Sequence, residues 1–128
     1  MASASVDPVE VVQRYWTHLE AGEFEEAAAQ FTDDVTYIHM PIFETRTIVN
    51  GRDELLHYFR DIRGKRDLDH ILEKSVANEG ECFVYGTGKG DAIDTEHVFG
   101  AYAELDDGKI SHYSITNREK GEGDRRYG

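Results

Sequence analysis

The sequence has little cysteine and lysine, and it has no long apolar run. Its single cysteine, Cys82, excludes an internal disulfide and a zinc site built from several cysteines. No apolar run approaches the roughly 20 residues that a membrane-spanning helix needs. The first ten residues, MASASVDPVE, lack a basic segment followed by an apolar run. We therefore expect no secretory signal and a cytoplasmic location.

The chain is strongly acidic. It has 26 acidic and 14 basic residues, which gives a formal net charge of −12. Such a chain repels nucleic-acid phosphates and anionic lipids, so we expect neither nucleic acid nor a membrane as a partner. Only five basic residues are lysines. An acidic, lysine-poor surface is typical of halophilic proteins, in which molar salt screens the self-repulsion. An ordinary acidic protein has the same composition, so both interpretations stay open.

Three helices are predicted in the first half of the chain. Asp7 can cap the first helix, and Pro8 suits its first turn. Apolar residues then recur every three or four positions until Gly22, which is expected to end the helix. A second helix is predicted over 23–30 and a third over 52–63. The third helix is expected to bury three apolar residues: Leu55, Phe59 and Ile62.

The rest of the chain has the two-residue period of β-strands. Strands are predicted over 35–40, 68–77, 82–89, 95–105 and 109–117. Residues 41–50 are predicted as a loop, and GTGKG at 86–90 is interpreted as a flexible hairpin turn rather than a phosphate loop. Early helices followed by antiparallel strands predict an α+β fold. The predicted domain is single and covers 1–119, with a flexible charged tail over 120–128.

The first predicted strand, VTYIHMP, carries a histidine on a face that otherwise looks buried. Alternate residues of a strand share a face, so Val35, Tyr37 and His39 point in one direction. An imidazole with an ordinary pKa near 6.5 can take and give a proton at neutral pH, so His39 is the best acid–base candidate. A hydrogen-bonded histidine of the core would give the same pattern.

The order of several motifs resembles the nuclear-transport-factor-2-like superfamily. These motifs are VVQRYW on the first helix, then AGEFEEAAAQFTDDVTY, GRDELLHYF and the late hairpin DDGKI. The superfamily includes ketosteroid isomerases and SnoaL-like polyketide cyclases. The resemblance implies a cone-shaped α+β fold of the cystatin-like barrel type. In that fold a strongly curved mixed or antiparallel sheet wraps around N-terminal helices and encloses an apolar pocket. It also implies a homodimer formed through the outer face of the sheet.

The resemblance assigns roles to individual residues. Tyr15 matches the tyrosine that donates a hydrogen bond to the enolate in the isomerases. His39 matches their catalytic aspartate when counted from DD, whereas counting back from the strand-ending proline gives Met40. Gly100 matches their second oxyanion donor, and Ile115 matches the acid–base aspartate of the cyclases. By this matching, the sequence lacks both the protonated aspartate that is the second oxyanion donor of the isomerases and the acid–base aspartate of the cyclases.

We therefore expect Tyr15 and His39 to be catalytic within one shared pocket. Residues expected to bind the ligand around them are Trp16, Tyr37, Phe59, Tyr102, Tyr113 and Asn117. Phenols, an amide and an imidazole suit proton transfer next to a carbonyl, as in isomerisation, dehydration or aldol-type cyclisation. The expected ligand is small, apolar and carbonyl-bearing. A non-catalytic ligand-binding or dimerisation module of the same fold is the alternative.

No cofactor or metal is expected. The sequence shows no redox-cofactor motif. The spacing of His39, His70, His97 and His112 does not resemble a zinc ligand set. By strand register we expect His97 and His112 to face away from the pocket.

Overall fold

The computed structural model describes residues 6–41, 47–65, 68–90 and 97–119. The predicted tail over 120–128, most of the predicted turn after residue 89 and much of the loop over 41–50 lie outside these ranges. Within the described residues, no helix is both long enough and apolar enough to cross a lipid bilayer.

The first helix, α1, spans Pro8–Glu20 and forms as its sequence predicts. The Asp7 carboxylate accepts a hydrogen bond of 3.0 Å from the backbone N–H of Val9, which caps the N-terminus. After the helix ends, Gly22 adopts a positive φ of 79°. The apolar stripe of α1 is buried against the sheet, so this helix positions side chains over the inner face of the sheet.

Two shorter helices follow. Helix α2 spans Phe24–Ala28, and α3 spans Arg52–His57 before it continues as a π-helical turn over Tyr58–Arg63. The prediction that Ile62 is buried is wrong, because its side chain is 65% exposed. A π-helical turn is wider than an α-helical one, so three-residue spacing from Phe59 no longer stays on the inner face.

In the described part of the chain, six strands form one open mixed sheet. They are β1 (Phe31–Pro41), β2 (Thr47–Asn50), β3 (Asp69–Asn78), β4 (Glu81–Lys89), β5 (His97–Asp106) and β6 (Lys109–Glu119). The strand order is β2-β1-β6-β5-β4-β3, and only the β1–β6 pairing is parallel. The predicted α+β class is confirmed. Strand β2 lies within the loop predicted over 41–50, so that prediction is wrong for residues 47–50. Four residues are too few to show a clear two-residue period.

The core lies between α1, α3 and the inner face of the sheet. Its centre is aromatic: the ring of Tyr15 stacks on Phe59 at 5.6 Å and meets Phe31 edge-on at 4.9 Å. The ring of Tyr37 stacks on Tyr113 at 5.4 Å. Aromatic pairs at these distances stabilise a core beyond their buried area. The rings lie beneath the candidate site.

The glycine-rich segment lies in strand β4 up to Lys89, which confirms the strand predicted over 82–89. The overlapping prediction of a turn over 86–90 is therefore wrong for residues 86–89. Gly86 and Gly88 lie within β4. A Cβ on Gly86 would lie 2.1 Å from the carbonyl oxygen of Ile71 and 2.9 Å from Cζ of Phe99. The glycine is therefore needed for close approach of neighbouring chains, which is a common use of glycine inside strands.

Candidate functional site

A cavity of about 50 Å³ lies between α1, the π-helical turn and the inner face of the sheet. This volume is enough for several water molecules, or for a small ligand group in their place. Its polar lining comes from Tyr15, Tyr37, His39, Arg63, His70 and His97. Side chains from five separate elements therefore converge on one hollow.

The remaining wall is apolar. It is formed by Leu19, Leu68, Phe99 and Ile115, together with the backbone of Gly88. A Cβ on Gly88 would lie 3.2 Å from Cδ1 of Leu68. The missing side chain therefore keeps space open at this wall. An apolar wall with a few converging polar groups is the usual form of a small-molecule site.

Two tyrosine hydroxyls meet at the cavity. The oxygen atoms of Tyr15 and Tyr37 lie 3.0 Å apart and share a buried hydrogen bond. Burial raises the pKa of Tyr15 well above its ordinary value, and the neighbouring Tyr37 and Tyr113 raise it further. The hydroxyl therefore stays protonated at neutral pH. It can donate a hydrogen bond to a ligand oxygen, but it is a poor base.

A carboxylate holds a second imidazole at the cavity. Oε2 of Glu20, the last residue of α1, accepts hydrogen bonds from the backbone N–H of His70 (2.7 Å) and pairs with its Nδ1 (2.9 Å). The His70 ring stacks on Trp16 at 5.2 Å and meets Phe99 edge-on at 5.5 Å. Because Nδ1 donates to the carboxylate, Nε2 is left as the proton acceptor of the neutral ring. The ring is therefore fixed in both position and tautomer.

His97 belongs to the site, so the expectation that it faces outward is wrong. It lines the cavity and lies two residues before Phe99 on β5. Phe99 packs edge-on against Trp16 at 5.3 Å, which shows that this set of β5 residues faces α1. The matching expectation for His112 is confirmed, since it alternates with the inward-facing Tyr113 on β6 and contacts the Tyr102 ring.

The structure brings together three of the residues predicted for the site: Tyr15, Tyr37 and His39. Three others are buried next to the cavity without lining it: Trp16, Phe59 and Tyr113. Among these, the indole N–H of Trp16 donates to the hydroxyl of Tyr113 at 3.1 Å. They support the lining residues rather than offering groups to a ligand.

The structure does not bring Tyr102 to the cavity. It lies on the outer face of β5, where its hydroxyl donates to Glu81 at 2.6 Å and its ring contacts Phe83. The backbone of Asn117 pairs with Phe99 across the sheet, and its side chain lies outside the described part of the structure. Gly100, the match to the second oxyanion donor, shares the outer face with Tyr102.

The Glu20–His70 pair was missed by the sequence analysis. The two residues are 50 positions apart, so no local spacing connects them. One signal was present: a carboxylate at the C-terminus of a helix is disfavoured by the helix dipole. An acidic residue kept in such a place often has a contact elsewhere in the fold.

Metal and thiol chemistry receive no support from the described residues. No group of three or more His, Cys, Asp or Glu side chains lies close enough there to hold a metal ion. Cys82 is buried in β4, and this burial raises the pKa of its thiol to about 11. The thiol therefore stays protonated and unreactive near neutral pH.

Residues 12–113, most of the chain, match the family model of the SnoaL-like domain. The chain belongs to the SnoaL-like family. The family resemblance expected from the motif order is thereby confirmed. No functionally curated protein is similar enough in sequence to count as a match.

Solved structures confirm the fold of this SnoaL-like chain. A ketosteroid isomerase-like protein from Kribbella flavida is 21% identical with a TM-score of 0.71, covering 93% of this chain and 82% of its own. An LEH-like epoxide hydrolase from Mycobacterium tuberculosis is 16% identical (TM-score 0.69; 87% and 82% covered). A polyketide cyclase-like protein from Sinorhizobium meliloti is 12% identical (TM-score 0.68; 83% and 93% covered). Identities this low establish a shared fold and leave activity to the site itself.

Proposed function

We propose that this SnoaL-like protein binds a small carbonyl compound in the cavity and moves protons next to its carbonyl group without a cofactor. The observation that carries the proposal is the shared cavity, which is lined by the Tyr15–Tyr37 hydroxyl pair and by His39 and His70. Hydroxyl donors suit the carbonyl oxygen, and imidazoles suit the neighbouring C–H bond. The combination supports isomerisation, dehydration or aldol-type cyclisation.

The chemistry begins with a proton transfer. An imidazole takes a proton from the carbon next to the carbonyl, and the C–H electron pair moves into the C–C bond as the carbonyl becomes an enolate. A tyrosine hydroxyl donates a hydrogen bond to the enolate oxygen, which stabilises the developing charge. Return of the proton at another carbon completes an isomerisation. In a dehydration the imidazolium instead gives its proton to a β-hydroxyl, which leaves as water. In a cyclisation the enolate carbon attacks a second carbonyl, whose oxygen takes the proton.

Two imidazoles divide the proton transfers in this proposal. His39, assigned as the base from the sequence, lines the same cavity as His70. His70 has its Nδ1 held by Glu20, as a histidine base is held by a carboxylate in other acid–base sites. Removal of a proton at one carbon and its return at another can be divided between a base at the first carbon and an acid at the second. A pair of histidines can supply both.

A non-catalytic binding module is the second candidate. Ile115, the match to the cyclase aspartate, is buried and forms part of the cavity wall. No Asp or Glu is found among the described residues that line the cavity. The described lining therefore offers no carboxylate base, and an imidazole-lined cavity can bind a ligand without turnover.

Hydrogen–deuterium exchange of a simple ketone separates the two candidates. Methyl levulinate in D₂O loses α-proton signals in the NMR spectrum when an enzyme catalyses enolate formation. We expect the protein to accelerate this exchange, and His39→Ala and His70→Ala each to reduce it strongly while the fold is retained. Binding of the ketone with exchange at the uncatalysed rate would favour the binding module and overturn the catalytic proposal.

We also propose a homodimer formed through the outer face of the sheet. Four apolar side chains are exposed on β3 and β4: Ile71 (39%), Val76 (74%), Phe83 (61%) and Tyr85 (43%). Val76 is paired with Phe83 across the two strands, so these side chains are neighbours. Sedimentation at molar salt is expected to show a dimer that Phe83→Glu converts to a monomer. A monomer before the substitution would contradict this proposal.

A further inference from the structure

The cavity is unusual for so acidic a chain, because its described lining is rich in imidazole and guanidinium groups and has no carboxylate. One guanidinium and three imidazoles line it, from Arg63, His39, His70 and His97. About a fifth of the whole sequence is acidic, 26 residues of 128. Even so, every lining residue of the described part is uncharged, an imidazole or an arginine. The permanent charge of the described lining, on Arg63, is therefore opposite in sign to the net charge of the protein.

Arg63 is the permanent charge at this site. It ends the π-helical turn, and its Nη1 donates to the carbonyl oxygen of Gly64 at 3.1 Å. Within the described chain, no Asp or Glu forms an ion pair with it, whereas Arg52 pairs with Asp33 and Arg60 with Asp61. The guanidinium therefore keeps donors and its charge for another group, since a buried or half-buried arginine is stabilised by an anionic partner.

The charge of Arg63 reaches the hydroxyl pair. It opposes the rise in the pKa of Tyr15 that burial causes, so the guanidinium lies within electrostatic range of that hydroxyl. Glu20, an acidic residue in contact with the lining, has Oε2 engaged by two N–H groups of His70. Its charge is thus already partnered, and none of the described residues supplies Arg63 with a counter-ion.

We infer that the ligand carries a carboxylate, which Arg63 binds while the carbonyl group faces the Tyr15–Tyr37 hydroxyls. A planar carboxylate matches the fork of a guanidinium, and a cavity of about 50 Å³ suits a short oxo-acid. The inference rests on the proposed function for the carbonyl half of the ligand. It replaces the expected apolar ligand with an anionic one.

The test compares two probes that share a ketone and differ in charge: levulinate and its methyl ester. Binding to the protein is measured by ligand-observed NMR titration, with α-proton exchange in D₂O followed in the same samples. We expect levulinate to bind at least about tenfold more tightly than methyl levulinate, a difference of about 1.4 kcal/mol. Added KCl should reduce this preference, because salt screens the ion pair.

Three variants assign the preference to one residue. Arg63→Gln should abolish it, and Arg63→Lys, which keeps the charge, should retain part of it. Arg60→Gln is the matched control, because it removes the same charge from the same turn at a residue already paired with Asp61. Equal binding of both probes, a preference that survives Arg63→Gln, or an equal loss in Arg60→Gln would each overturn the inference.

The failures of the two proposals can be told apart. Exchange catalysed equally on both probes, and unchanged in Arg63→Gln, would leave the proposed function standing and overturn the anionic ligand. Levulinate binding that depends on Arg63, with no catalysed exchange on either probe, would support the anion site and overturn proton-transfer catalysis. Binding of neither probe counts against both proposals.

Discussion

A single oxygen atom of Glu20 accepts hydrogen bonds from both the backbone N–H and the ring of His70, at 2.7 and 2.9 Å. The contact joins the end of α1 to the start of β3, which are 50 residues apart in sequence. It fixes the ring from one side, while the stack on Trp16 fixes its plane. The result is an imidazole presented to the cavity in one orientation, which is what a general base requires.

Replacing Glu20 by Gln should slow proton transfer with little loss of stability. The amide keeps an oxygen for the backbone N–H but loses the charge that stabilises a protonated His70. We expect kcat for exchange of methyl levulinate to fall about tenfold while KM stays unchanged, in the range seen for partners of functional histidines.

The control for this substitution is Glu23→Gln. Glu23 forms a similar contact of 2.8 Å with His18, but at the surface. It should leave kcat unaltered. If Glu20→Gln and Glu23→Gln gave the same rate as the unmodified protein, Glu20 would have no positioning role.

The inward-facing side of strand β5 could not be assigned correctly from the sequence. The sequence assigned Tyr102 to the pocket and His97 to the outside, and a single one-residue error of face explains both. In the structure Tyr102 pairs with Ser114, whereas Ala103 pairs with the inward-facing Tyr113. Val98 and Phe99 are both buried, so the start of β5 shows no alternation from which to choose a face. The packing of Phe99 on Trp16 in the folded protein shows which face of β5 points inward.

Other parts of the site were predictable because their signals are local. Tyr15 follows from the stripe of α1, and Tyr37 and His39 share a face of β1 through strand alternation alone. The Glu20–His70 contact is tertiary, and no spacing rule connects residues from two such distant elements. The π-helical turn that carries Arg63 likewise could not be predicted, because the apolar pattern up to Phe59 is that of an ordinary α-helix.

Tyr15→Phe should remove one hydroxyl from the cavity and leave the aromatic packing intact. Loss of the 3.0 Å bond to Tyr37 should lower the free energy of unfolding by about 1 kcal/mol. Loss of a donor to the enolate should lower kcat for ketone exchange about 100-fold. Urea unfolding and the NMR exchange assay measure the two effects.

Tyr113→Phe is the matched comparison. It also deletes a buried hydroxyl and leaves the indole N–H of Trp16 without its acceptor, at a cost of about 1–3 kcal/mol. Tyr113 does not line the cavity, so exchange should persist. Equal loss of activity in the two variants would mean that the effect comes from packing and not from donation to the ligand.

The protein should lose stability as the pH rises above about 10. Burial raises the pKa of Tyr15 and Tyr113 well above 10.0, so the folded state holds protons that the unfolded chain releases. The unfolded state then binds fewer protons, and the free energy of unfolding falls with pH by about 1.4 kcal/mol per unit for each group. Below pH 10 this stabilisation is fully present.

The alkaline loss can be divided by substitution. Cys82, whose pKa is raised to about 11, should add to the slope from about pH 9. Urea unfolding from pH 8 upward should show a shallower decline in Tyr113→Phe than in the unmodified protein. A variant curve parallel to the original across this range would contradict burial as the cause.

Stability should rise steeply with added potassium chloride if the composition reflects salt adaptation. A net charge of −12 on a small chain repels itself at low salt, and counter-ions screen that repulsion. We expect the thermal midpoint to increase continuously towards molar KCl. A flat response would favour the ordinary acidic protein instead.

Substitution by alanine should be costly at one strand glycine and nearly neutral at another. A Cβ on Gly86 would lie 2.1 Å from the carbonyl oxygen of Ile71, a backbone atom that can move only if β3 moves. Gly100 has its nearest atom, the carbonyl oxygen of Val84, at 3.9 Å. Neither glycine has a positive φ, so the two differ only in the space available for a Cβ.

We expect Gly86→Ala to destabilise the fold by about 3 kcal/mol, and Gly100→Ala to change its stability by less than about 1 kcal/mol. Urea midpoints measure both. A well-folded Gly86→Ala variant of normal stability would show that β3 and β4 do not approach as closely as described, and the wall of the cavity that Gly88 forms would have to be placed differently.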